Sequence, residues 1–107
     1  MAWILNKEEK YTLFSPNLES HKDIDNSISN LPKDGNKIVD CSSLTLTESQ
    51  IELLSIAYQK HVANNVSFLV VISDIENMDL LEKHFVVVPT ISEAIDYIYM
   101  EEFERNI

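Results

Sequence analysis

"KIVDCSSLTLTESQIELL", residues 37–54, is the stretch whose reading decides the fold. It opens on a short apolar run around Ile38 and Val39, with the length and composition of a buried strand. It closes on a helical period, in which Ile51, Leu54, Tyr58 and Val62 form the inner stripe of a helix predicted from about Thr47 to Ala63. Between the two stand Ser42, Ser43, Thr45, Thr47 and Ser49, with no glycine and no proline among them. A strand that passes through a short polar segment into a long helix is the first half of a strand-helix-strand crossover, and so implies a parallel sheet.

Working outward, the upstream side is punctuated by "KDGN", which holds the only glycine of the chain and is its clearest turn signal. Before it, "NLESHKDIDNSISNLP" places Leu18, Ile24, Ile28 and Leu31 near one helical face, and Pro32 stops the helix. "AWILN" and "YTLFS", separated by the polar "KEEK", read as a hairpin. Downstream, "SFLVVIS" is nearly continuous in apolar residues, as befits a central strand covered on both faces. A helical turn over "NMDLLEKH", a buried strand "FVVVP" and a last helix from Ile91 towards Arg105 complete the order. The expectation is an α/β layer structure with a mixed sheet of four to five strands, about four helices and right-handed crossovers. "KIVDC" and "SFLVVIS" are expected to be adjacent and parallel.

Composition limits the function. At 107 residues, 45% of them apolar, the chain suits one domain over 1–107 that folds without covalent staples. Eight basic residues against eighteen acidic ones give a net charge of -10, which repels phosphate backbones and anionic lipid, so neither nucleic acid nor membrane is an expected direct partner. The apolar runs are too short to cross a bilayer, and "MAWILNKEEK" lacks the positive leader and apolar centre of a signal peptide. A cytoplasmic location follows as the expectation.

The hydroxyls have a structural use. With Thr47 as N-cap, Gln50 falls at the third helical position of a capping box, and Leu46 and Ile51 occupy the two places of a hydrophobic staple. Thr90 and Glu93 repeat the spacing at the start of the last helix. Glu48 and Ser49 then lie in the first turn, where free backbone N–H groups favour negative charge.

Catalytic chemistry finds little to work with. His21, His61 and His84 are far apart in sequence and read as surface or half-buried residues, and the lone cysteine, Cys41, reads as a small buried hydrophobe. Asp40 and Asp74 end consecutive strands, but a phospho-accepting receiver also wants a lysine after its last strand, and here that strand ends "VVVPT". Both aspartates are taken as turn residues, and neither a metal nor a cofactor is expected. On the last helix Ile91, Ala94, Ile95 and Ile98 make the core stripe, while Tyr97, Tyr99, Met100 and Phe103 widen the apolar surface. Either Phe103 packs on the hairpin with Trp3, or Tyr99, Met100 and Phe103 form a homodimer or partner contact. Glu101, Glu102 and Glu104 read as a solvated face.

Element order and the segments "KIVDCSSLTLTESQIELL" and "FVVVPTISEAI" resemble the STAS domain of bacterial anti-sigma factor antagonists. In that family a buried strand leads through a loop with an Asp-Ser pair into the second helix. Glu48 stands at the place of the family's aspartate and Ser49 at that of its phosphorylated serine; the family continues Ser-Gly-Leu, this chain Gln50, Ile51, Glu52. The resemblance implies a regulatory, non-enzymatic module that docks to an unknown protein partner, with Thr45, Thr47, Glu48, Ser49, Gln50 and Glu52 as its leading surface. Ser49 is expected to be exposed yet not phosphorylated, because Glu48 and Glu52 oppose added negative charge and no arginine lies near in sequence. The alternative is a small-ligand or nucleotide site at the N-terminus of the same helix.

Overall fold

In the computed structural model, which describes residues 3–17, 24–32, 34–73 and 75–105, the chain forms one five-stranded mixed sheet and four helices. The strands are β1 (Trp3–Lys7), β2 (Thr12–Pro16), β3 (Lys37–Asp40), β4 (Phe68–Val71) and β5 (Val86–Val88). The helices are α1 (Ile24–Ser29), α2 (Glu48–Ala63), α3 (Ile75–Leu81) and α4 (Ile91–Arg105). Strand order in space follows the chain, β1 to β5. β1 pairs antiparallel with β2 as the expected hairpin, and every later pairing is parallel. β3 and β4 are neighbours, with Ile38 opposite Leu69 and Val39 opposite Val70, as their apolar continuity predicts.

Alternation along the strands divides the core in two. Val39, Phe68, Val70 and Val87 pack with Ile28, Leu54 and Ala57 of α1 and α2. Ile38, Leu69, Val71 and Val88 point the opposite way, onto Ala94 and Ile98 of α4. A strand buried on both faces cannot show a polar side, which is why "SFLVVIS" is unbroken in sequence. Gly35 takes φ +80°, a left-handed conformation open to glycine, and turns the chain into β3. The described part of the first helix is shorter than the sequence suggests; Leu18 and His21 lie outside the described residues, while Ile28 and Leu31 are buried as expected.

Two side chains of α2 depart from the predicted stripe. Val62 is 51% exposed, and its neighbour His61 is buried in its place. The inner line runs Leu54, Ala57, His61, which points the imidazole onto Phe68 with ring centroids 4.8 Å apart. A polar ring can be buried there because its nitrogens face main-chain oxygens, Nδ1 at 2.7 Å from Ala57 O and Nε2 at 2.8 Å from Pro32 O, so whichever nitrogen carries the hydrogen of the neutral ring donates to one of them. His61 is therefore neither a surface nor a half-buried residue, whereas His84 is exposed.

Candidate functional site

The carboxyl end of β3 turns on a side chain. One Asp40 carboxylate oxygen accepts from the Ser42 N–H at 3.0 Å and from its hydroxyl at 2.6 Å, closing a tight local turn. The Ser73 hydroxyl donates to Ser42 O at 3.0 Å and ties the exit of β4 to the same loop. Asp40 is thus a turn residue, as read; Asp74 lies outside the described residues. Behind the turn Cys41 is buried, and burial first, with Asp40 adding to it, pushes its thiol up to about 12, so it is held as an inert thiol rather than a nucleophile.

The helix start is built as the sequence predicts. Thr47 has extended backbone angles, its hydroxyl accepts from Gln50 N–H at 3.2 Å, and the Gln50 side-chain oxygen accepts from Thr47 N–H at 3.0 Å. The Gln50 amide also donates to Asp25 at 2.9 Å, which ties α2 to α1. Leu44, Leu46 and Ile51 pack against the core from this loop. Of the six residues expected to lead a contact surface, Thr45, Thr47, Glu48, Ser49 and Glu52 are exposed; Gln50 is half-buried and occupied within the chain. Ser49 sits at the second helical position, one residue before the amide that Thr47 caps.

Beside this loop runs a groove of about 400 Å³, which the sequence does not announce. Leu44, Leu46, Ile51, Ile72, Leu80 and Leu81 give it apolar walls, and Ser42, Ser43, Thr45 and Ser73 line it with hydroxyls. The walls come from three separate segments, so no spacing in the chain signals the groove. Leu80, at 60% exposure, was its one local sign: an apolar residue with nothing in a short helix to cover it.

At the amino end of the parallel strands the polar groups are spent on one another. The buried Asn36 amide donates to Lys10 O at 2.9 Å and to Glu102 at 2.8 Å, and its oxygen accepts from Ser67 N–H at 2.8 Å. Ser67 donates to Glu101 at 2.8 Å, Lys10 pairs with Glu102 at 3.4 Å, and Arg105 donates to Asn65 O and to the Ser67 hydroxyl. Glu101 and Glu102 are therefore structural acceptors for buried donors and not a solvated face, a correction the sequence could not supply because their partners lie 34 and 66 residues away. Lys37, 2% exposed, places its ammonium on the carbonyls of Asp34 and Gly35, and burial lowers its pKa against the opposing pull of Asp34.

On α4 the core stripe is as predicted, with Ala94 and Ile98 buried and Ile91 and Ile95 packed beside them. Phe103 does not pack with Trp3. Trp3 is buried against Phe14 on the side of the sheet away from α4, with ring centroids 6.2 Å apart at 87°, while Phe103 is 69% exposed. Tyr99 and Met100 are also exposed. Among the described residues no group of three or more His, Cys, Asp or Glu stands close enough to hold a metal ion, and no helix is long and apolar enough to cross a membrane.

No family model and no curated protein matches the chain. Among solved structures, that of a candidate anti-sigma factor antagonist from Thermotoga maritima superimposes with a TM-score of 0.65, covering 91% of this chain and 94% of that one at 11% sequence identity. The fold is STAS-like. The likeness is one of backbone, and at this identity it carries over architecture and no residue's role. In this STAS-like fold the β3–α2 loop and the groove lie at the carboxyl ends of parallel strands, where open α/β sheets offer their crevices.

Proposed function

We propose that the protein is a non-catalytic regulatory docking module of the cytoplasm, which engages a partner protein through the β3–α2 loop and the first turn of α2. The observation that carries this reading is that Thr45 and Thr47 of the β3–α2 loop and Glu48, Ser49 and Glu52 at the start of α2 are exposed on a segment whose backbone is pinned by the Asp40 turn, the Ser73–Ser42 bond and the capping box. A surface already held in one shape loses little entropy on binding. The adjoining groove offers an apolar centre and the loop a polar rim, the usual division of a protein interface. The antagonist-like fold supports the same class of role. Ser49 acts in this reading as a contact residue and carries no phosphate, since Glu48 and Glu52 flank it; intact-protein mass spectrometry from native cells, showing a stoichiometric phosphate, would overturn that part.

Affinity purification from native cells with quantitative mass spectrometry tests the docking role. A partner retained by the wild type should be lost from a Glu48→Lys, Glu52→Lys double variant that keeps its circular dichroism. Equal retention by both would count against the loop. The groove volume favours one second reading, because small-molecule sites occupy about 300–1,000 Å³. A thermal-shift screen with nucleotides and inorganic anions separates the two: docking predicts no change in Tm, whereas a saturable rise abolished by Leu81→Trp would assign the groove to a ligand.

A further inference from the structure

We propose a second docking surface, on the outward face of α4 and the adjoining face of the β1–β2 hairpin, whose occupant is a cationic amphipathic helix of a partner protein. Tyr99, Met100 and Phe103 are 51%, 65% and 69% exposed, and Ile4 on the hairpin is 59% exposed. All four lie on one side of the sheet. Ile4 pairs with Ser15 and Asn6 with Leu13, so Ile4 shares the face of Leu13, which packs on the cluster that holds Ala94 and Ile98 of α4. α4 itself packs across β3, β4 and β5, which leaves the hairpin's face as a ledge beside it. Glu102 of α4 pairs with Lys10, in the connection between β1 and β2, at 3.4 Å, so the end of the helix adjoins the hairpin.

The end of α4 that carries these side chains is fixed. Glu102 holds Asn36 and Lys10, and Arg105 holds Asn65 O and Ser67, so Phe103 is presented between two anchored residues. An apolar surface of this kind on a rigid element marks a contact site rather than a fraying end.

Charge chooses the occupant. Met100 has Glu93, Asp96 and Glu104 as its neighbours at i−7, i−4 and i+4, all three exposed, so a column of carboxylates borders the apolar strip. A second copy in a two-fold contact would set that column against its own equivalent, in a chain of net charge -10. A helix with leucine-like residues on one face and lysine or arginine at its margins meets both features, with apolar anchors on Tyr99, Met100 and Phe103 and cations on the carboxylates and aromatic faces. The surface lies across the sheet from the groove, so it stands or falls independently of the β3–α2 reading.

The test uses the full chain and a fluorescein-labelled 18-residue Leu/Lys helix peptide, alongside a scrambled peptide of the same composition that cannot present an apolar face. Anisotropy should show that wild type binds the patterned peptide at least about tenfold more tightly than the scrambled one. A Tyr99→Ser, Met100→Ser, Phe103→Ser variant should lose at least about tenfold, while Leu80→Ser at the groove binds as wild type. Circular dichroism checks that each variant is folded; if the triple variant is not, Met100→Ser alone serves, with a smaller loss expected. Absence of binding by the wild type, equal binding of the scrambled peptide, or equal binding by the folded variant overturns the proposal. So does a wild-type dimer in sedimentation that the variant converts to monomer, which would give the face to a second copy.

Discussion

The two ends of the parallel strands use the same kinds of residue in opposite ways. At the amino end Asn36 and Ser67 are buried, and Glu101, Glu102, Lys10 and Arg105 close over them, bonding across segments distant in sequence. At the carboxyl end Ser49, Glu48, Glu52 and Thr45 turn outward, and the polar bonds of their neighbours, the local Asp40 turn and Thr47 cap with the longer Ser73–Ser42 and Gln50–Asp25 ties, shape the segment that carries them. A polar network that is fully engaged rigidifies a fold, whereas polar side chains left to solvent on a shaped loop remain available to a partner. The difference separates the scaffold of this protein from the surface proposed to dock.

The sharpest way to break this comparison is to unwire the amino end. Asn36→Ala removes the bonds to Lys10 O, Glu102 and Ser67 N–H and leaves the buried Ser67 N–H and two part-buried acceptors without these partners. Urea denaturation should show a loss of about 3 kcal/mol, from an unsatisfied-group cost of about 1–3 kcal/mol each, partly relieved by water. A change under about 0.5 kcal/mol, the size of an ordinary surface substitution, would erase the distinction.

The next effect is a pH dependence. Burial lowers the His61 pKa, Lys37 acts the same way, and the carbonyls of Ala57 and Pro32 together with Asp34 oppose them. With the folded pKa below the unfolded one, the unfolded chain takes up the proton first. The stabilisation is therefore present above about pH 6.5 and is lost as pH falls through that value towards the folded pKa, with a slope of at most about 1.4 kcal/mol per pH unit. Denaturation between pH 7 and pH 5 should show the loss, and His61→Phe should flatten that part of the curve. A wild type equally stable at both values would contradict it.

The smallest effects belong to the carboxyl end. Thr47→Ala should cost about 1 kcal/mol through the lost cap. Ser49→Asp, one turn position away and exposed, should stay within about 0.5 kcal/mol of wild type. If Ser49→Asp destabilised as much as Thr47→Ala, Ser49 would be part of the scaffold and not of the surface.

Sequence made the architecture legible where the signals are short-range. The Thr47–Gln50 box, the Gly35 turn, the unbroken "SFLVVIS" strand and the Ala94–Ile98 stripe each depend on residues within a few positions of one another, and each is present as read. His61 escaped because hydrophobic periodicity favours Val62 over a neighbouring imidazole, and one of the two main-chain oxygens that its ring meets, Pro32 O, lies 29 residues away in sequence. Asn36, Glu101 and Glu102 escaped for the same reason: a polar residue is read as exposed until its partner is known, and theirs are distant in sequence, whereas Lys37 is buried on the carbonyls of the turn just before it. The loop half of the candidate site was legible through its cap; the groove half was not, being assembled from three segments.

Site-specific photo-crosslinking in native cells tests the central claim most directly. A photoreactive residue at Ser49 or Glu52 should trap one and the same partner protein, while one at Ala63, exposed at the opposite end of α2, should not. Trapping of that partner at Ala63 with no product from Ser49 or Glu52 would contradict the account, because the end of the sheet assigned to docking would then be no more engaged than the rest of the surface.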